Sequence, residues 1–173
     1  MNKLKFYLYS GVGIIGAAAM AGLVLWKACG TVPEAKRTIG VQASAEYQEA
    51  TQAAVDVWNG FVGCRFLVDG DDVLVKADDG APCGDPWRPA AEWDHAATAY
   101  RCPTGKSEVL VSRPGNINTQ ACIIAHEIGH TLAAFGVVHA TIGIMSDGCA
   151  SDAQNYLRIR DRDVDALRAE FCR

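Results

Sequence analysis

Three of the chain's four histidines lie close together, and two of them have the spacing of a metal site. His126 and His130 are four residues apart, and Glu127 directly follows the first. Residues four apart on an α-helix share one face, so both imidazoles can bind a single ion. Zinc held in this way lowers the pKa of a bound water towards about 7, and the neighbouring Glu127 is placed to take the water's proton. The HExxH pattern therefore predicts a metal site that activates water for attack on a carbonyl group.

A third histidine, His139, comes three residues after Gly136. Glycine commonly ends a helix, so the chain can turn back here and bring the third imidazole towards the other two. Three histidine ligands would leave zinc an open fourth position for water, as in catalytic sites. Two alternatives stay open: Asp147 or Asp152 could be the third protein ligand, or water could complete the site while His139 lies on the surface.

The histidine pair needs a helix, and the sequence predicts one from about Thr119 to Phe135. Asn118 or Thr119 is the expected N-cap, and Gly136 the expected end. An earlier helix is predicted after Ser44, a candidate N-cap, because apolar residues recur there at helical spacing. These residues are Ala50, Ala54, Val57, Trp58 and Phe61.

Short runs of β-branched and apolar residues between the two helices predict strands. They are residues 64–68, 72–77 and 107–112, with a weaker candidate at 97–102. A last helix is predicted from about Asp161, with Val164, Leu167 and Phe171 as its buried stripe. The order of elements predicts an α+β fold, in which a small twisted mixed β-sheet supports a long helix carrying the site.

Composition limits the class of protein and its compartment. The chain has 173 residues, half of them hydrophobic, which is enough for one core, and a net charge of -4 argues against a nucleic-acid partner. Six of the seven cysteines are spread over the C-terminal part and predict three disulfides in an oxidising compartment, although 15 pairings are possible. The alternative is six reduced cysteines in the core. The six are Cys64, Cys83, Cys102, Cys122, Cys149 and Cys172.

The N-terminal region contains an uninterrupted apolar run at residues 6–26. This length matches the ~20 residues that a helix needs to cross a bilayer. We therefore expect a single-pass anchor within residues 1–27, a linker at 28–44 and a domain at 45–173 that is extracytoplasmic, either periplasmic or extracellular. A cleaved signal ending near Ala21 is the alternative and would give a secreted protein. If the anchor is retained, Cys29 lies beside the membrane, acylated or paired between chains.

Three segments resemble the matrixin family of metzincin zinc peptidases. They are "IIAHEIGHTL" around the histidine pair, "LRIRDRDVDALRAEF" near the C-terminus and "AVDVWNGFVGCRF" at the start of the domain. The resemblance implies a metzincin-like fold with His126, His130 and His139 as zinc ligands and Glu127 as general base. It also implies that Met145 lies under the metal and that substrate extends along an edge strand at 97–102.

The chain departs from the family pattern between its second and third histidines. The family has glycine three residues after the second histidine and the third histidine three residues later, whereas Ala133 takes the glycine position here. Gly136 and His139 each come three residues late. A helix extended by three residues would be ~4.5 Å longer, so the chain would have to double back further to bring His139 to the metal.

Two functions follow from these features. The first is an exported, membrane-anchored zinc endopeptidase that hydrolyses peptide bonds of a protein or peptide substrate with a Glu127-activated water. The second is a disulfide-stapled binding or structural module on a surface, with a vestigial metal site. The intact Glu127 favours the first, and the late His139 favours the second.

Overall fold

A six-stranded mixed sheet and three α-helices make up the part of the chain that this computed structural model describes, namely residues 33–87, 96–112, 115–139, 143–146 and 159–172. The predicted α+β class with a small mixed sheet is confirmed. The predicted anchor at 6–26, with its transmembrane helix, and Cys29 lie outside these residues. Among the described helices, none is long and apolar enough to cross a membrane.

The sheet has the strand order β2-β1-β3-β6-β5-β4. Strands β2, β1, β3 and β6 run parallel, and β5 is antiparallel to both β6 and β4. All four strands expected from the sequence are present to within one residue. The strands are β1 (Glu34–Ala43), β2 (Arg65–Asp69), β3 (Val73–Ala77), β4 (Asp85–Pro86), β5 (Ala97–Arg101) and β6 (Ser107–Val111).

The linker predicted at 28–44 is wrong for residues 34–43, because these residues form β1 inside the sheet. Only Gly40 and Val41 are buried along this strand, so its side chains show no apolar alternation. Its charged end instead binds the C-terminal helix: Lys36 Nζ donates to the carbonyl of Ala169 at 2.8 Å. The compact unit therefore includes residues from Pro33 onward rather than beginning at 45.

The first helix, α1 (Gln48–Val62), follows a 3₁₀ turn at Ala45–Tyr47. Ser44 precedes that turn, but its hydroxyl makes no capping hydrogen bond, so the predicted cap is wrong in this respect. The expected apolar stripe is buried, apart from a half-buried Phe61. From this stripe, Trp58 Nε1 donates to the carbonyl of Ala125 at 2.9 Å, which fixes α1 against the helix that carries the histidines.

The histidine helix, α2 (Ile117–Thr131), differs from its prediction at both ends. The N-cap is Asn116 rather than Asn118 or Thr119, and its side-chain oxygen accepts from the Thr119 N–H at 3.0 Å. The sequence has asparagine at both 116 and 118, and each type can cap a helix, so only the backbone decides between them. The last helix, α3 (Asp161–Phe171), begins where predicted and buries Val164, Leu167 and Phe171.

Two disulfides are defined within the described residues, Cys64–Cys172 and Cys83–Cys102. Cys122 is disulfide-bonded as well. The prediction of a disulfide-rich domain is thus confirmed for the five described cysteines, and Cys149 lies outside the described residues. Cys64–Cys172 joins the start of β2 to the end of α3, across 108 residues of chain.

Candidate metal centre

The three predicted histidines meet at one point through the same ring atom. His126 Nε2 lies 3.1 Å from His130 Nε2 and 3.2 Å from His139 Nε2. The remaining pair, His130 Nε2 and His139 Nε2, is also 3.2 Å apart. These three residues form a group whose ligand atoms could hold one metal ion. The structure thus brings together the whole histidine set predicted from the sequence.

The three Nε2 atoms form a triangle whose size fits a small cation bound by three nitrogens. A tetrahedral ion with metal–nitrogen distances of about 2.0–2.1 Å needs ligand nitrogens about 3.3–3.4 Å apart. The observed separations of 3.1–3.2 Å fall just short of this value. If one Nε2 carried a proton, it could donate a hydrogen bond to only one of the other two nitrogens. Three nearly equal separations therefore fit a shared cation better than a ring of hydrogen bonds.

The orientation of His126 is set by a backbone carbonyl. Its Nδ1 lies 2.7 Å from the carbonyl oxygen of Ile144. A carbonyl only accepts, so Nδ1 carries the proton and donates it, which leaves the lone pair of Nε2 directed at the other histidines. A hydrogen bond of this kind behind a ligand fixes its tautomer and raises its basicity towards a metal.

The extra residues before His139 do not lengthen α2. The helix ends at Thr131, not at Phe135 as predicted, and Ala133–Phe135 form a 3₁₀ turn. Gly136 ends this turn rather than the α-helix it was predicted to end, with a φ of +96° that favours glycine. Because the added residues are used in a tighter turn, the chain reverses soon after the helix. This reversal removes the geometric objection to His139 as a ligand.

A hydrogen bond from Arg160, the residue just before α3, holds the segment that carries His139. Arg160 Nη2 donates to the carbonyl of Val138 at 3.0 Å. The same guanidinium binds Asp163 through two hydrogen bonds of 2.9 Å. Asp163 is 1% exposed, so this pair is shielded from water on the carboxylate side. This role of Arg160 could not be predicted from the sequence, because a salt bridge of this kind resembles any charge pair at the start of a helix.

Glu127 lies beside the histidines and is buried. Its carboxylate accepts a hydrogen bond from the backbone N–H of Ala99 in β5. Burial raises the pKa of Glu127 to about 8, and the Ala99 hydrogen bond opposes that rise. A divalent cation held by the adjacent histidines would favour the charged carboxylate and lower this pKa. The Ala99 contact was not foreseen, since any residue can supply a backbone N–H.

Met145 packs against the last turn of α2, beside Gly129. A Cβ added to Gly129, between the two helical histidines, would lie 2.1 Å from Met145 Sδ and 3.0 Å from Trp58 Cζ2. Met145 is 3% exposed. The glycine therefore lets both side chains approach the helix backbone directly, and the adjacent Ile144 carbonyl can reach His126.

Gly129→Ala should destabilise the domain by about 1–3 kcal/mol, because the added methyl group overpacks a buried contact with Met145 and Trp58. It should also weaken zinc binding, since the displaced segment carries the Ile144 carbonyl that orients His126. Urea unfolding and metal titration measure the two effects. Gly115→Ala is the matched control: its Cβ would be 3.6 Å from Thr119, an ordinary contact. Equal unfolding midpoints for the two variants would contradict the packing argument.

Other candidate ligands are not drawn into the cluster within the described residues. Cys122, one turn before His126 on α2, is disulfide-bonded and is therefore no thiolate ligand. Asp147 and Asp152, the alternatives to His139, lie outside the described residues. Because all three histidines already converge, neither aspartate is needed to complete a three-ligand site.

No protein-family model matches the chain. No curated protein matches it either. The resemblance to matrixins thus stays a prediction that rests on the motifs themselves.

Proposed function

We propose that the domain is a zinc-dependent endopeptidase that hydrolyses peptide bonds in protein or peptide substrates. The observation that supports this most is the convergence of three histidine Nε2 atoms at 3.1–3.2 Å from one another, beside a buried glutamate. The order of the motif residues along the chain, which resembles the matrixin pattern, supports it independently of the geometry.

Zinc is the metal that the ligand set suits. Imidazole nitrogens are good ligands for zinc, whereas calcium and magnesium take oxygen ligands, which this cluster lacks among its described members. Three neutral ligands also leave the charge of the ion uncompensated. When bound by His126, His130 and His139, zinc would polarise a substrate carbonyl and make a bound water acidic near neutral pH.

Glu127 is the proposed general base. It neighbours a proposed ligand on the helix, and the Ala99 N–H holds its carboxylate. In hydrolysis, Glu127 accepts a proton from the attacking water and then donates a proton to the leaving amine nitrogen. Its burial excludes bulk water from the carboxylate, which strengthens its interaction with charge that develops in the site.

We also propose that the protein is exported and tethered by residues 6–26, with the domain on the extracytoplasmic side. Disulfides form and persist in oxidising compartments, and the described part of the domain has two defined ones together with a bonded Cys122. This location would give the peptidase access to periplasmic or extracellular substrates.

Digestion of casein by the full-length protein tests the proposed activity. Cleavage should stop when a zinc-selective chelator is added and should return when zinc is restored. Cleavage that continues in a metal-depleted sample would contradict a zinc mechanism. Protein that binds zinc in full but cleaves neither casein nor a peptide mixture would instead support the surface binding module.

A further inference from the structure

The strand next to Glu127 is not the outermost strand of the sheet along its whole length. The resemblance to matrixins implies that substrate pairs with an edge strand at 97–102, but β4 pairs with Tyr100 and Arg101 at the end of β5. The next residue of this segment, Trp87, donates its backbone N–H to the carbonyl of Ala99 at 2.9 Å. We call residues Asp85–Trp87 the strap.

The strap reaches the backbone position at which Glu127 is anchored. The Ser112 N–H donates to the Ala96 carbonyl, so the backbone of Ala96 faces β6. Backbone groups of successive residues alternate in direction along an antiparallel strand. The N–H and the carbonyl of Ala99, three residues later, therefore face away from β6 and towards the outer edge of the sheet. The Ala99 N–H donates to Glu127, and its carbonyl accepts from Trp87. Both outward groups of the strand residue that contacts the proposed base are thus satisfied by the chain itself.

An extended peptide that binds by strand addition needs such outward backbone groups. The outer side of β4 is a poor substitute, because Pro86 has no N–H to donate to an additional strand. A peptide strand that is to lie beside Glu127 must therefore pair with β5 where the strap now lies.

We propose that the strap is an autoinhibitory segment, which must separate from β5 before an extended polypeptide can pair with Ala99 and reach the metal centre. This inference rests on the proposed endopeptidase function and adds a regulatory element to that same site. The strap occupies the substrate position in the resting protein, and the strength of its attachment to β5 limits the rate of substrate capture.

Three features hold the strap on β5. The disulfide Cys83–Cys102 ties the residues just before the strap to the residue just after β5. Gly84 allows close approach, because a Cβ there would lie 2.2 Å from the Arg101 carbonyl oxygen. The guanidinium of Arg101 also lies 3.9 Å from the centre of the Trp87 ring. Removal of either of the first two features should release the strap without changing a metal ligand.

The test uses two variants of the full-length protein that loosen the strap by different means. Cys83→Ser with Cys102→Ser removes the covalent tie, and Gly84→Ala places a methyl group against the β5 backbone. Each should raise kcat/KM for a short synthetic casein peptide by about tenfold, the value of roughly one backbone hydrogen bond that no longer has to be broken. Zinc content should stay at the wild-type level. Gly115→Ala, remote from the strap in sequence and with room for a methyl group, should leave kcat/KM unchanged.

Hydrogen exchange gives a readout that does not need turnover. In zinc-loaded Glu127→Gln protein, addition of the same peptide should speed exchange of the Trp87 amide, because the strap leaves Ala99. Peptide binding that leaves this amide equally protected would overturn the proposal, and so would failure of the peptide to bind either strap variant.

Chelator-sensitive hydrolysis that is no faster in folded strap variants would refute the strap and leave the endopeptidase function standing. Absence of hydrolysis in every variant, with peptide binding that still exposes Trp87, would refute the function and leave the strap.

Discussion

Replacement of Glu127 by glutamine is expected to lower kcat/KM for peptide hydrolysis by about 10²- to 10⁴-fold, the range that a positioned general base contributes. Glutamine has the shape of glutamate, and its side-chain oxygen can still accept the Ala99 N–H that holds residue 127. It cannot take a proton from water at neutral pH. The three histidine nitrogens are untouched, so zinc content should equal that of the wild type.

Steady-state kinetics and metal analysis of the same preparation separate the two parts of this expectation. Glu49→Gln is a suitable control, because it makes the same chemical change at an exposed glutamate in the first turn of α1. A Glu127→Gln protein with wild-type turnover would remove Glu127 from the chemistry. A variant that lost zinc as well as turnover would show that residue 127 supports the metal rather than the proton transfer.

Replacement of His139 by alanine is expected to weaken zinc binding by roughly 100-fold or more, since loss of only a hydrogen-bond partner behind a ligand already costs about 10- to 100-fold. Turnover should be lost together with the metal. The reason is geometric: His139 Nε2 is 3.2 Å from both other nitrogens, and without it only two protein ligands remain in the described cluster. Zinc stoichiometry at limiting metal is the measurement.

His95→Ala is the matched control for this change, because it removes the chain's fourth histidine, which has no motif around it. It should leave zinc stoichiometry unchanged, as should Asp147→Asn and Asp152→Asn. Equal stoichiometry in wild type and His139→Ala would take His139 out of the site. In that case loss of zinc in one of the two aspartate variants would identify the third ligand.

The helix that carries the histidines could be predicted from local pattern, whereas its two ends could not. The HExxH spacing needs only helical periodicity, and His126 and His130 do share one face with their Nε2 atoms 3.1 Å apart. Leu132, Ala133 and Ala134 are all compatible with a continued α-helix, so propensity gives no sign that the helix stops at Thr131. The 3₁₀ turn that follows packs on α3, where the ring centres of Phe135 and Phe171 lie 4.9 Å apart, and such a tertiary contact leaves no local signal.

The missed strand β1 illustrates a different limit. A strand is recognised from alternating burial, but β1 is paired on both sides while only two of its ten residues are buried. Its charged residues made it look like a linker. Lys36 is nonetheless bound to the end of α3, and Arg37 forms an ion pair with Glu170 there. Partners 133 residues away in sequence leave no local signal.

The backbone partners of the site were equally invisible. The carbonyl of Ile144 orients His126, and the N–H of Ala99 holds Glu127. Every residue type except proline carries both groups, so no residue identity marks these positions. Sequence could therefore supply the side chains of the candidate site but not the backbone atoms that aim them.

The disulfide between Cys64 and Cys172 has a consequence for the lifetime of the domain. A single break in the main chain anywhere between these residues would not release a fragment, because the two pieces would remain covalently joined. The entire metal cluster and most of the sheet lie within this span. In a cleaved molecule, the disulfide would keep the two pieces tethered, so each would remain at a high effective concentration relative to the other. This tether favours their continued association. Cleavage in an exposed turn between these two cysteines would then not by itself remove the molecule from use.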